Sequence, residues 1–251
     1  MVHFVGAGPG ATDLITMRGY KYLSEADVII YAGSLVNKEL LSYAKEGAEI
    51  HNSAHMTLEE VVEIVKEAER ENKNTVRLHT GDSSIYGAIR EQIDILNSLG
   101  IKYTVVPGVS SFCGAAASLN AEYTLPGVSQ SVIITRMEGR TPVQERESIR
   151  SFAAHKSTMV LFLSSGLTEE LSKELIEGGY EKDTPVAVVY KATWPDEKIF
   201  RCTVESLHQT MKDNKISKTA LILVGNFLGK DYERSELYNP DFSHEFRKGS
   251  L

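Results

Sequence analysis

The stretch VHFVGAGPGA at residues 2–11 decides the fold. Val2 to Val5 is a short apolar run of the kind that fills a strand buried on both faces, and it opens directly into a glycine-rich loop. Open parallel sheets bind ligands at such loops, beyond the carboxyl ends of their strands. Gly6, Gly8 and Ala11 even match the spacing of the dinucleotide fingerprint, G-x-G-x-x-G/A. The surroundings argue against that cofactor. Pro9 and Gly10 interrupt the place where the helix should begin, Thr16 reads as the helix start, and strand two ends on Tyr31 where a ribose-binding acid would be needed.

Outward from this stretch, strand signals recur at Val28–Tyr31, Val76–Leu78 and Tyr103–Val106, with amphipathic stretches between them. Thr57 and Glu60 form a capping box ahead of Val61, Ile64, Val65 and Ala68 at helical spacing, and Ala88–Ser98 predicts a further helix that Gly100 stops. Strands alternating with helices of this length predict a mostly parallel sheet covered on both faces. Small residues and loop signals at 114–130 place a boundary, giving an N-terminal domain over 1–116 and a C-terminal one over 117–251. The second domain alternates again: strands at Val132–Thr135 and Met159–Leu163, helices at Glu145–Ala154 and Glu169–Glu177, then strands at Val186–Tyr190, Ile199–Thr203 and Ala220–Val224 in a sheet of mixed direction. The fold class is α/β in two domains. The polar tail from Lys230 to Leu251 is expected to be loosely ordered.

Composition narrows the function. With 42% hydrophobic and 24% charged residues the chain is ordinary for a soluble domain, and no apolar run nears the roughly 20 residues that span a bilayer. No signal segment precedes Val2, so a cytoplasmic location is expected. A net charge of −7 without a long basic cluster argues against nucleic acid and anionic membranes as partners. Cys113 and Cys202 are isolated and read as two buried thiols. His51 and His55 stand four apart but fall where a loop is expected, so no metal site is assigned. His79 ends a strand and reads equally as a pocket or a core residue.

Two more strands end in glycine-bearing loops: Thr80 to Gly87, which carries Asp82, and Pro107 to Ser111, where Ser110 reads most simply as an N-cap. Three such loops in one domain point to one ligand site.

These residues resemble a known family. Gly6–Gly10 (GAGPG), Gly81–Gly87 (GDSSIYG) and PGVSS at 107–111 look like the motifs of the tetrapyrrole methylases, and the resemblance runs along the whole chain. YAGSLV at 31–36 and TRMEGRTP at 135–142 resemble the branch that methylates C-11 of precorrin-4 or cobalt-precorrin-4. Ser83 departs from the pattern, which has proline after Gly-Asp.

The resemblance implies a homodimeric enzyme with a cleft between its domains, S-adenosylmethionine as methyl donor, S-adenosylhomocysteine as product, and no protein-bound metal. It assigns donor contacts to Pro9, Thr80, Gly81, Asp82, Ile85, Ser110, Ser111, Leu163, Ala192 and Ala220. Because the donor is already an electrophile, alignment replaces a nucleophilic residue, and no catalytic residue is assigned. The tetrapyrrole's acetate and propionate groups require local cations. Arg90, Arg136 and Arg140, with Tyr31 and Ser34 of the branch motif, are the substrate candidates, and Arg146, Arg150 and Lys191 are further cations. The same resemblance leaves open another ring position, uroporphyrinogen III as substrate, or a non-catalytic binder of S-adenosylmethionine.

Overall fold

A computed structural model describes residues 1–33 and 35–250, so Ser34 lies outside the described residues. Two compact units are present: Met1–Gly114 with Lys191–Asp196, and Ala115–Tyr190 with Glu197–Leu251. The division falls two residues before the expected boundary and moves the short 191–196 segment, which follows a strand of the second unit, into the first.

The first unit holds strands β1 (Val2–Gly6), β2 (Val28–Tyr31), β3 (Glu49–Asn52), β4 (Thr75–His79) and β5 (Tyr103–Val106), ordered β3-β2-β4-β1-β5. Every pairing is parallel. Side chains alternate across each strand, so neighbouring residues serve opposite faces. Val5, Ile29, Val76 and Leu78 pack with Leu23 of helix α1 (Met17–Glu25) and Leu40 of a 3₁₀ turn. Val2, Phe4, Val28 and Ile30 pack on the other face with Val61 and Val65 of α2 (Leu58–Arg70) and Leu96 of α3 (Arg90–Ser98). The chain therefore leaves β1 over one face and leaves the adjacent β4 over the other. That divergence opens a crevice at the carboxyl ends of these two strands, the switch point of an open α/β sheet. The capping signals behave as read: the Thr16 side chain accepts from the Gly19 amide, and Thr57 with Glu60 makes both bonds of the capping box.

In the second unit β6 (Val132–Arg136), β7 (Thr158–Phe162), β8 (Pro185–Tyr190), β9 (Lys198–Thr203) and β10 (Ala220–Val224) are ordered β6-β7-β10-β8-β9. Only β6 and β7 run parallel; the other pairings are antiparallel. Met159, Leu161, Val188 and Ile222 form its core with Ala153 of α5 (Ile149–Ala153), Leu171 and Leu175 of α6 (Thr168–Gly178) and Met211 of α7 (Leu207–Asp213).

Several local expectations need correction. Ser148 caps α5 from within the expected 145–154 helix, accepting from the Ser151 amide, and so splits it from a 3₁₀ turn at Glu145–Glu147. Leu163 has φ 52° and leaves β7 at Phe162. His51 belongs to β3, and its ring pairs with Glu49 Oε1 at 2.7 Å. That short, polar edge strand shows no apolar alternation. Cys113 is exposed, because it faces outward from α4 (Ser111–Leu119), and Cys202 is half-buried. The tail is tied by the Arg247 guanidinium, which donates to the carbonyls of Leu237, Asn239 and Phe242.

Candidate active site

The three glycine-bearing loops of the first unit meet at the β1/β4 crevice. Register places Gly6 beside His79, and the ladder continues past the strands: the Gly8 amide donates to Gly81 O at 3.3 Å and the Gly81 amide to Gly8 O at 2.9 Å. A Cβ on Gly6 would stand 2.6 Å from Gly108 Cα and from Gly81 O, and one on Gly108 would stand 2.1 Å from Gly81 O. Glycine at 6 and 108 is therefore demanded by backbone packing on backbone. Gly8 and Gly81 additionally adopt φ of 81° and 61°.

Asp82 ties the second loop to the third. Its Oδ2 accepts the Gly108 amide at 2.8 Å, and its Oδ1 accepts the Ser84 amide at 2.9 Å and the Ser84 hydroxyl. Burial works to raise its pKa, but the bonds from Ser84 and Gly108 outweigh it and hold the carboxyl below its ordinary value. Ile85, half-buried, closes the turn by donating its amide to Asp82 O at 3.2 Å. Ser110 is buried, and its carbonyl accepts the Cys113 and Gly114 amides as Ser111 begins α4, so it caps that helix through its backbone.

Not every polar atom here is spent. Thr80 Oγ1, Ser83 Oγ and His79 Nε2 are buried without a hydrogen-bond partner. His79 is 4% exposed, and burial, aided by Arg77, pushes its pKa down to about 3. The ring is neutral and belongs to the core, yet one of its nitrogens stays unsatisfied. Arg77 lies two residues earlier on the same face. It donates Nε to Gln92 Oε1 at 3.2 Å and Nη1 to Ile30 O at 3.1 Å, and burial lowers its pKa to about 10.

Pro9 and Ala192 are both buried in this unit, and the segment carrying Ala192 supplies contacts that sequence reasoning missed. Trp194 Nε1 donates to Pro9 O at 3.1 Å, and Thr193 Oγ1 accepts the Ala11 amide at 3.0 Å. Asn37 Nδ2 donates to Gly10 O at 2.9 Å. A separation of more than 180 residues leaves no periodicity or spacing that would announce the first two contacts.

Two further candidates of the first unit have partners of their own. Tyr31 is 7% exposed and packs in the α1-side core. Arg90 is an exposed residue whose Nε pairs with Asp94 at 2.9 Å, one helical turn along α3.

In the second unit, register brings one end of the sheet together: Arg136 pairs with Phe162, and Ala220 with Tyr190. Leu163, next along from Phe162, is 64% exposed. Ser165 Oγ donates to Ala220 O at 3.0 Å, and the Met137 amide donates to Ser164 Oγ at 2.8 Å, which ties the Arg136 loop to this end. The Arg136 guanidinium donates to the carbonyls of Met137, Thr141 and Pro142, bracing its own loop, while Arg140 is exposed. Among the described residues these two arginines have no carboxylate partner. Arg146, Arg150 and Lys191 pair with Glu147, with Glu174 and Glu177, and with Asp196.

Comparison with known proteins gives this arrangement a family. The sequence profile of the Tetrapyrrole (Corrin/Porphyrin) Methylases matches residues 1–208. A cobalt-precorrin-4 C(11)-methyltransferase from Methanocaldococcus jannaschii is 56% identical over 248 residues, covering 98% of this chain and 96% of the relative. The X-ray structure of a cobalt-precorrin-4 methyltransferase of cobalamin biosynthesis superposes with TM-score 0.89 at 51% identity, over 91% of this chain and 96% of that one. A Thermus thermophilus uroporphyrin-III C-methyltransferase complexed with S-adenosylhomocysteine matches with TM-score 0.74 at 25% identity, over 90% and 92%. Glycine-bearing loops knotted at the switch point of a parallel sheet, a mixed second sheet and likeness along nearly the whole length converge: this chain belongs to the tetrapyrrole methylases.

Proposed function

We propose that this protein transfers a methyl group from S-adenosylmethionine to C-11 of cobalt-precorrin-4 in cobalamin biosynthesis. The observation that carries the reading is the whole-length likeness to a relative bearing that activity, with the glycine-loop motifs retained save for Ser83 in place of the pattern's proline.

The loops suit the donor. A ligand with an amino-acid end and ribose hydroxyls needs bare backbone to approach and unspent hydrogen-bonding groups to meet, and the knot of Gly6, Gly81 and Gly108 beside the unpaired Thr80 hydroxyl offers both. Pro9, Thr80, Gly81, Asp82, Ile85, Ser110, Ser111 and Ala192 of the first unit would hold it; the family resemblance also assigns Leu163 and Ala220, residues of the second unit, to the donor. The donor supplies an electrophilic methyl on a sulfonium, so no protein nucleophile is required. What these residues do is align, and alignment can lower a two-reactant barrier by about 7–11 kcal/mol. Asp82 acts through the Gly108 amide, keeping two loops in register.

Arg136 and Arg140 would meet the carboxylates of the tetrapyrrole first, since they are the candidate cations with no carboxylate already in place, with Arg90 and Tyr31 as the further candidates of the same reading. Cobalt, where present, belongs to the substrate. No helix among the described residues is long and apolar enough to cross a membrane, and we place the protein in the cytoplasm as a homodimer.

The deciding experiment is anaerobic incubation with methyl-labelled S-adenosylmethionine and both cobalt-containing and metal-free tetrapyrrole intermediates. Label at C-11 of cobalt-precorrin-4 is the expected result. Label at another ring carbon would overturn the position, and binding of the donor without transfer to any intermediate would favour a non-catalytic role.

A further inference from the structure

The Gly6–Ala11 loop is held from outside itself. Its outer polar groups are taken by a six-residue segment, Lys191–Asp196, that packs within the first unit. Trp194, the sole tryptophan of the sequence, donates its indole N–H to Pro9 O at 3.1 Å, and Thr193 Oγ1 receives the Ala11 amide at 3.0 Å. Between those two bonds lies Gly10, where a Cβ would sit 2.0 Å from Trp194 Cδ1. Gly10 has no positive φ, so its backbone would accept alanine; the indole is what excludes a side chain. The segment holds its shape at a cost, with left-handed φ at Lys191 (49°) and Thr193 (68°), neither of them glycine. The Lys191 ammonium stands 5.3 Å from the centroid of the Trp194 ring while pairing with Asp196 at 2.5 Å, a further contact on the indole.

We propose that Trp194 is a positioning residue, a latch that holds the Gly6–Ala11 loop in its ligand-receiving shape, with Gly10 kept as glycine to admit the indole. Trp194 works through Pro9 and Gly10, and as the sole tryptophan it also serves as an intrinsic fluorescent reporter on that loop. The inference rests on the reading of this loop as part of the donor site.

The test compares wild type with Trp194→Phe, Trp194→Ala, Gly10→Ala and the double variant Gly10→Ala/Trp194→Ala. Two readouts are taken: amide hydrogen exchange across residues 6–11 of the ligand-free protein, and calorimetric affinity for S-adenosylhomocysteine. Trp194→Phe keeps an aromatic ring but loses the N–H together with the five-membered ring that carries it, so it should weaken affinity by at least about 2- to 10-fold, the worth of one hydrogen bond, and speed loop exchange by a similar factor. Trp194→Ala should do more. Gly10→Ala should match Trp194→Ala alone yet add nothing in its background, because the ring it collides with is gone. Unchanged loop exchange in both Trp194 variants would overturn the latch, as would an equal Gly10→Ala penalty with and without the indole. If exchange responds as expected but wild type does not bind S-adenosylhomocysteine, the latch stands and the donor assignment of the loop falls.

Discussion

The loops after β1 and after β4 lie side by side and solve the same problem in opposite ways. In the first, Ala7 N–H, Gly8 N–H, Pro9 O, Gly10 O and Ala11 N–H all have partners, several of them side chains from distant segments. In the second, Asp82 is fully employed, but Thr80 Oγ1, Ser83 Oγ and the adjoining His79 Nε2 are buried and unpaired. That loop also bends through left-handed φ at Tyr86 (55°) and Ala88 (48°), where no glycine relieves the strain. One loop is a finished frame. The other keeps polar capacity in reserve, and unspent buried groups at a ligand site are what a bound molecule would satisfy.

The frame breaks most severely at its glycines. Gly6→Ala drives a methyl into the Gly108 Cα and the Gly81 carbonyl, both backbone atoms that cannot rotate away. We expect a loss of at least about 3 kcal/mol in denaturant-measured stability, at or beyond the upper end for overpacking by a single methyl, together with loss of S-adenosylhomocysteine binding. A variant as stable as wild type would mean that the two loops are not locked together.

The reserve loop should instead reveal itself through pH, by way of His79. Its folded pKa is depressed to about 3, against an ordinary 6.5. Between those values the unfolded chain binds a proton that the folded one refuses, so stability falls as pH drops through this window. The slope for one such group is about 1.4 kcal/mol per pH unit. Unfolding free energies from pH 7.5 down to 4.5 should flatten in His79→Gln by close to that slope, while the Gly6–Ala11 loop, which carries no titratable group, predicts no such effect. An unaltered profile would show that His79 is hydrated or paired in solution.

These two loops also mark what the residues alone could reveal. Glycine, proline and a hydroxylated cap are local signals, so GAGPG, the Thr57–Glu60 box and the start at Thr16 could be read directly, as could the strands they follow. That ligands gather at the carboxyl ends of those strands could be read as well; which two strands frame the crevice required the sheet order. Contacts that depend on tertiary approach left no trace: nothing near Trp194 points to Pro9, and nothing near Asn37 points to Gly10. Arg136 shows the same limit in another way, since the motif around it suggests a ligand-facing cation but gives no sign that its guanidinium also braces residues 137–142 through three hydrogen bonds. β3 was legible only in part, as a strand-like AlaGluIle at 48–50 that stops short of His51, because an edge strand with one neighbour need not alternate.

The gentlest probe of the contrast is Thr80→Val, which keeps the shape of the side chain and removes only the unpaired hydroxyl. A buried group left without a partner costs about 1–3 kcal/mol, so deleting it should leave the free protein as stable as wild type or up to about 1 kcal/mol more stable. The same hydroxyl, if held for the donor, gains its partner only in the complex. Affinity for S-adenosylhomocysteine should therefore fall by about 3- to 10-fold while stability does not, a split that packing damage cannot produce because packing damage lowers both. Equal affinity with higher stability would leave Thr80 as an uncompensated core defect, and the loop after β4 would then owe its ligand contacts to its backbone, like its neighbour.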